Sequence, residues 1–385
     1  METPGVNVAI WSLPEIPRKR VVHRMKLADI LELSLRSKPF HSFLKDNKLP
    51  LVELEWKFVE YDFCINLVAP RDKEPIGISF ETGSDYFKDF EDSRDVVDKT
   101  EPAFTVSFCF KPNEISTADS NLKMKLMMRN KNRFSVYTCE DEGEMLKAME
   151  TLSKHLSEIA HVKYKLQCSK MTLDVFNSFV FKTTNSFIAA DFGALHETDE
   201  ETVPCESLTE EQLRFLLEHV EIENLLLRCK PDTLEQLKHV SFNQKSLTLD
   251  SCYWIAPSEL FNNTQLEHIN WSYGSSDMSE DFVRIVEAWQ RGTHFQCLKQ
   301  LSFSDFNEWF GGIPSGLEKR LQENLRLRSI RRTETYGGLP RFSGTLQRFW
   351  DGKEAEVVLW ESRNLYYDLS ILYWELAVKE SSVHQ

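Results

Sequence analysis

No Cys-x-x-Cys pair occurs in this chain, and no cysteine stands at zinc-ligand spacing from a histidine. The eight cysteines are scattered from Cys64 to Cys297. The expectation is therefore reduced, mostly buried thiols in a cytoplasmic or nuclear protein. Also missing are Gly-x-Ser-x-Gly, a Walker loop, Gly-x-Gly-x-x-Gly and His-Glu-x-x-His. Glycine is sparse, and the pairs Gly311-Gly312 and Gly337-Gly338 read as turns rather than phosphate cradles. The ten histidines have no helical-spaced partners near a Cys or Glu cluster. His155 and His161 are read as surface residues. These absences speak against a catalytic, metal or cofactor site, so the chain is expected not to be an enzyme. No apolar run approaches the ~18 residues that a membrane helix needs. The opening METPGVNVAIWSLP lacks a basic region followed by an apolar one, so it does not read as a signal peptide. Positive charge is in deficit: 46 Lys and Arg against 60 Asp and Glu give a net charge of −14. That balance argues against a nucleic-acid partner.

What is present is a soluble composition, 41% hydrophobic and 28% charged, long enough for two or three units. Residues 13–46 hold two amphipathic segments. One carries Ile16, Val21, Val22 and Met25; the other carries Ile30, Leu31, Leu33 and Leu35. Their i,i+3 and i,i+4 spacings predict helices. Asp29 is the expected cap of the second, and Ser37-Lys38-Pro39 the expected end of it. Phe40, Phe43 and Leu44 begin a further apolar turn. So small a unit cannot bury all these side chains in itself and should dock its surplus elsewhere.

Residues 51–138 read as strands. Val52, Leu54, Trp56 and Phe58 share one face, as do Tyr61, Phe63, Ile65 and Leu67. Segment 103–110 alternates likewise, and 122–130 with 133–139 reads as a hairpin. From Glu144 to Ala160, Met145, Met149, Leu152, Leu156 and Ile159 mark one helical face. A strand over 162–168 follows, then an acidic loop. Thr209 and Gln212 form a capping box for the helix LTEEQLRFLLEHV. A two-residue apolar alternation then recurs: Leu225-x-Leu227, Leu247-x-Leu249, Ile269-x-Trp271 and Leu301-x-Phe303. These repeats predict strands lying side by side in a parallel sheet. A helix from Asp281 should close at Gly292. Asp351-Gly352 is a turn dipeptide, and the last strands should cover the edge of the repeat sheet.

Leu13-Pro14, the Val21-Val22-x-x-Met25 run, Asp29-Ile30, Leu33-Ser34-Leu35-Arg36-Ser37-Lys38 and Phe40 together resemble an F-box, although the first helix is more basic than is usual there. Ser246 to Leu249, Trp254-Ile255, Phe282 with Trp289, Gly292 and Leu298 to Phe303 look like the type 2 F-box-associated domain of the F-box families expanded in nematodes. The tail WDGKEAEVVLW is similar to that domain's final hairpin. The resemblance implies an adaptor that recruits substrates to a cullin–RING ubiquitin ligase. Leu13, Pro14, Val21, Val22, Met25, Ile30 and Leu33 would grip a Skp-type adaptor, which connects to the cullin. A protein substrate of unknown identity would meet the C-terminal body, with Tyr253, Trp254 and Tyr273 as candidate contacts.

The expected fold is α+β: an F-box-like helical motif over 11–46, a β-rich region with one helix over 51–200, and an irregular leucine-rich-repeat-like α/β stack over 201–380 closed by C-terminal strands. Two other readings stay open. One is a repeat-type protein-binding module with no ligase link. The other is a nucleic-acid or ligand-binding β domain, supported only by Arg18-Lys19-Arg20 and the Arg326–Arg332 run, both read as solvated helix faces.

Overall fold

The structure, a computed structural model, describes residues 12–59, 62–70, 72, 74–82, 108–109, 124–130, 133–138, 142–169, 175–193, 208–229, 237–250, 252, 254–263, 265–273, 279–307, 319, 323, 325–334, 340–364 and 369–379. The chain is mixed α/β and divides into two compact units. The first is Met1–Gln167 with Asp174–Thr184; the second is Cys168–Leu173 with Asn185–Gln385. The helical segment at the start therefore shares a unit with the β-rich region that follows it, and the division falls earlier than residue 200. Among the described residues, no helix is long and apolar enough to cross a membrane.

The first unit begins with three helices, α1 (Glu15–Val22), α2 (Leu27–Arg36) and α3 (Lys38–Asp46). Helix α2 starts at Leu27, so Asp29 lies inside its first turn and does not cap it. The cap comes from far along the chain instead: Leu27 N–H donates to Asp72 Oδ2 at 3.2 Å. Ser37 ends α2 and caps α3, its Oγ accepting from Phe40 N–H at 3.3 Å. The strands are β1 (Leu49–Val59), β2 (Asp62–Val68), β3 (Ile76–Thr82), β4 (Phe108–Cys109), β5 (Met124–Asn130), β6 (Arg133–Thr138) and β7 (Ala160–Cys168), with α4 (Glu142–Ile159) before β7. Their order in the sheet is β7-β1-β2-β3-β6-β5-β4. Period-two patterning placed β1 and β2 correctly: Val52, Leu54, Trp56, Phe58, Phe63, Ile65 and Leu67 are all buried. Most of segment 103–110, and Tyr61, fall outside the described residues. The apolar stripe of α4, from Met145 to Ile159, is buried against this sheet. There Trp56 Nε1 donates to Ser153 Oγ at 2.8 Å, and Ser153 Oγ donates back to Met149 O at 2.7 Å. After β7 comes a single turn of helix, α5 (Val180–Thr183).

The second unit holds β8 (Ser186–Phe192), α6 (Glu210–Arg214), β9 (Glu221–Leu227), β10 (Ser246–Asp250), β11 (His268–Tyr273), α7 (Ser279–Arg291), β12 (Gln300–Asn307), β13 (Arg328–Glu334), β14 (Pro340–Gln347), β15 (Glu354–Asn364) and β16 (Leu369–Val378). Both bonds of the capping box are present at the start of α6, which continues as a π-helical turn over Phe215–His219. Strands β8 to β12 are parallel neighbours. Their register pairs Leu225, Leu247, Ile269 and Leu301 in one row, and Leu227, Leu249, Trp271 and Phe303 in another. All eight side chains are buried. Glu223 within β9, and Lys245, Glu267 and Lys299 directly before β10, β11 and β12, form a third row: Lys245 N–H bonds Glu223 O, Glu267 N–H bonds Lys245 O, and Lys299 N–H bonds Glu267 O. Charge alternates along this row. Lys245 Nζ lies 3.6 Å from Glu223 Oε1, and Lys299 Nζ lies 2.6 Å from Glu267 Oε2. The Lys299 hydrogen bond holds the Glu267 carboxyl below the usual range.

Strand β16 pairs antiparallel with β12 and covers the edge of the parallel stack. The sheet then runs on through β15 and β14 to β13. The Arg326–Arg332 run is therefore not a helix face; most of it forms β13. Gly292 follows α7 with φ of 71°, the left-handed geometry of a helix-ending glycine.

Candidate functional site: the outer face of the helical head

Packing divides the head into an inner and an outer face. On the inner face Leu27, Ala28, Ile30, Leu31, Ser34, Phe40 and Leu44 are buried. Polar contacts tie α2 and α3 to α4. Ser34 Oγ donates to Leu31 O at 2.8 Å and lies 2.9 Å from His155 Nε2, so His155 must be the donor in that second bond. The His41 and His155 rings stack with centroids 4.6 Å apart, His41 Nε2 lies 3.3 Å from Glu158 Oε2, and Lys48 Nζ donates to Ser157 O at 2.8 Å. His155 is thus no surface residue. Burial, and then the neighbouring His41, lower its pKa from 6.5 to about 3.

This depressed pKa has a pH consequence. Between about 3 and 6.5 the unfolded chain binds a proton at His155 that the folded one refuses. The stabilisation is complete above pH 6.5 and is lost as pH falls toward 3. His155→Gln should flatten this part of the acid response. Urea midpoints of the two proteins should differ in pH slope across that window; parallel slopes would show that His155 is not a buried neutral group.

On the outer face, α1 presents Ile16 at 68% exposure and Val21 at 40%. Lys19, Arg20 and Arg24 stand exposed beside them. Next to α1 opens an apolar groove of about 270 Å³, walled by His23, Met25, Leu27, Ile30, the Leu49–Val52 strand start, Ala69, Pro70 and Asp72. Within it Leu51 is 36% exposed.

The seven candidate adaptor contacts do not form one surface. Pro14 and Val21 are exposed, and Leu13, Met25 and Leu33 are half-buried. Val22 is interior and offers no face to a partner; Ile30 is buried on the inner side and reaches the surface only as part of the groove wall. Ile16, the most exposed apolar residue of the head, was legible only as a member of the helical pattern, because exposure is set by packing.

The three candidate substrate contacts fare differently. Trp254 is fully buried, and its Nε1 donates to Cys229 O at 3.1 Å, which makes it a core residue. Tyr253 lies outside the described residues, and for Tyr273 only the backbone, at the end of β11, is described. Sequence reading passed over Phe349 and Trp350, which are 61% and 59% exposed at the β14–β15 turn. Their signal was two aromatics directly before an Asp-Gly turn, where no core can form around them. No protein-family model, no curated protein and no solved structure matches this chain.

Proposed function

We propose that this chain is the substrate-recognition adaptor of a cullin–RING ubiquitin ligase, with the outer face of the head gripping a Skp-type adaptor. The observation that supports this reading is the placement of exposed apolar side chains. Six large ones are exposed among the described residues, and Ile16, Val21 and Leu51 belong to the head and the strand start beside it. The F-box-like motif over 13–46 folds as three short helices with the outer side of the first left uncovered. The in-register parallel strands support describing the C-terminal unit as leucine-rich-repeat-like. That unit would hold a protein substrate. The chain itself performs no chemistry in this reading; it raises the effective concentration of substrate at the ligase. Its place of action is the cytoplasm or nucleus.

Covering a side chain such as Ile16 or Val21 is worth roughly 1.5–3 kcal/mol. Ile16→Asp combined with Val21→Asp should therefore reduce co-purification of adaptor and cullin at least ~tenfold. Both positions are solvent-facing, so the circular dichroism of the chain should be unchanged. Undiminished capture of the adaptor by a folded double variant would defeat the proposal. The burial of α2 within its own unit favours one rival, a repeat-type binding module without a ligase link. In that case the wild-type pull-down returns substrates and no cullin.

A further inference from the structure

The remaining exposed apolar side chains, Ile330, Phe349 and Trp350, gather at the far edge of the second unit, around β13 and the β14–β15 turn. β13 is the end strand of the sheet; it pairs with β14, and among the described residues no strand pairs with its other side. Its register places Arg328 opposite Thr345, so the start of β13 lies beside the end of β14, from which Phe349 and Trp350 follow. Arg328 Nη1 reaches Gln347 Oε1 at 3.3 Å.

Arginine is concentrated at this edge, although β13 ends in Glu334 and Asp351 lies in the neighbouring turn, bonded to Arg348. Arg326, Arg328 and Arg331 are exposed, and none has an ion-pair partner among the described residues. Elsewhere basic side chains commonly find acids, as in Arg36–Glu32, Lys165–Glu53 and Arg214–Glu210. In a chain carrying net −14, anions are in surplus, yet among the described residues no ion pair joins one to these three arginines.

The aromatic turn is held rigidly. Arg348 is 2% exposed; its guanidinium carbon lies over both the Trp289 and the Trp350 rings, 5.3 and 4.9 Å from their centroids. It donates to both carboxylate oxygens of Asp351 and to Gln296 O. Phe349 N–H donates to Gln290 O at 2.9 Å. Beneath the Trp350 ring sits Gly292, where an added Cβ would come within 2.0 Å of Cδ1. The Trp350 ring and the backbone at Phe349 are thus held in place before anything binds.

We propose that the β13 edge and the Phe349-Trp350 turn form the docking site for an extended acidic segment of a partner protein. This inference rests on reading the C-terminal unit as the part that holds substrate. The segment's carboxylates meet Arg326, Arg328 and Arg331 as charge-assisted, bidentate pairs. Its backbone bonds the open strand edge. One of its apolar side chains lies on Phe349 and Trp350. Arginines and a β-bulge, present here between Arg328 and Arg331, also guard an edge against indiscriminate pairing. That role accounts for the charge but not for two large aromatics exposed to solvent beside it. Single-stranded RNA also takes cationic tracks with aromatics. Three arginines make a short track, however, and the net charge of −14 opposes a polyanion.

The test uses the full chain and a fluorescein-labelled peptide of alternating Glu and Leu, read by anisotropy. Comparison probes are the same peptide with Gln for Glu, and oligouridylate. The Glu peptide should bind, weaken with added salt, and lose ~tenfold or more in affinity with R326Q/R331Q and with F349S. Equal binding of the Gln peptide, unchanged affinity in R326Q/R331Q, or tighter binding of oligouridylate would each overturn the proposal. Adaptor capture is measured on the same preparations. Protein that captures the adaptor but ignores the Glu peptide sinks this site and leaves the ligase reading; peptide binding without adaptor capture does the reverse.

Discussion

Trp56→Ala should lower the unfolding free energy of the first unit by about 3–5 kcal/mol, the range for truncating a buried aromatic. The indole is fully buried. It stacks on Tyr164 with centroids 4.8 Å apart and meets Phe179 edge-on at 5.5 Å. Its Nε1–H bond to Ser153 is the polar pin between β1 and α4. Alanine removes all of this and leaves a cavity. Trp56→Phe keeps most of the ring and loses chiefly the hydrogen bond, so it should cost only about 1 kcal/mol, since Ser153 Oγ still has Met149 O as a partner. Because α4 also carries His155 and Glu158, which meet Ser34 of α2 and His41 of α3, the alanine variant should loosen the head. Trypsin should then cleave more readily at Arg18, Lys19 and Arg20. Urea unfolding followed by far-UV circular dichroism measures the first effect. A cost below about 1 kcal/mol for the alanine variant would mean that Trp56 does not anchor this core.

Arg348→Met should destabilise the second unit by about 3 kcal/mol. Charge-assisted hydrogen bonds are worth roughly 1.5–3 kcal/mol and a cation–π contact roughly 0.5–2. Methionine retains the apolar stem but leaves Gln296 O without its donor. Arg348→Lys should recover less than half of the loss, because a compact ammonium cannot reproduce the planar fork that bonds both Asp351 oxygens and Gln296 O beside the Trp289 and Trp350 rings. The Asp351 carboxyl is held down to about 2, first by its hydrogen bond from Arg348. The pair's contribution is therefore present above pH 3.8 and fades as pH falls toward 2. The gap between wild type and Arg348→Met should narrow only in that acid range. If the gap were constant with pH, the ion pair would not be its source. The same variant frees Phe349 and Trp350 to move, so binding of the Glu peptide should weaken even though neither aromatic is changed.

The sheet was more legible in the sequence than the surfaces were. The four apolar alternations of the second unit fall in adjacent register because a parallel stack repeats one strand's environment, and the repeat of the environment is written as a repeat of residue type. The Thr209–Gln212 box, the Gly292 helix end and the Asp351-Gly352 turn were equally readable, since each depends on neighbours a few residues away. Long-range effects were hidden. The donor at Leu27 is satisfied by Asp72, forty-five positions on, and no local pattern foretells that Asp29 is unneeded. His155 looked like a surface histidine because its burial is supplied by α2 and α3 from the other end of the unit. Arg326–Arg332 lacks the apolar alternation of a half-buried strand, because β13 stands at an edge with Arg328 to Arg332 in solvent; the fold, and not the pattern, made it a strand. For the same reason Trp254 and Phe349 could not be sorted into core and surface by residue type.

The row formed by Glu223, Lys245, Glu267 and Lys299 separates two kinds of position in the second unit. Each residue of the row is tied to the next by a backbone bond, while the intervals of 22, 22 and 32 residues between these positions show that the connections need not be equal in length. The longest interval accommodates α7 without shifting the register of β12 against β11. Grafting extra residues into the stretches between strands should accordingly be tolerated, whereas a one-residue insertion within β10 or β11 would turn the buried row outward. The unit is thus a scaffold whose loops are open to diversification while its ladder stays fixed.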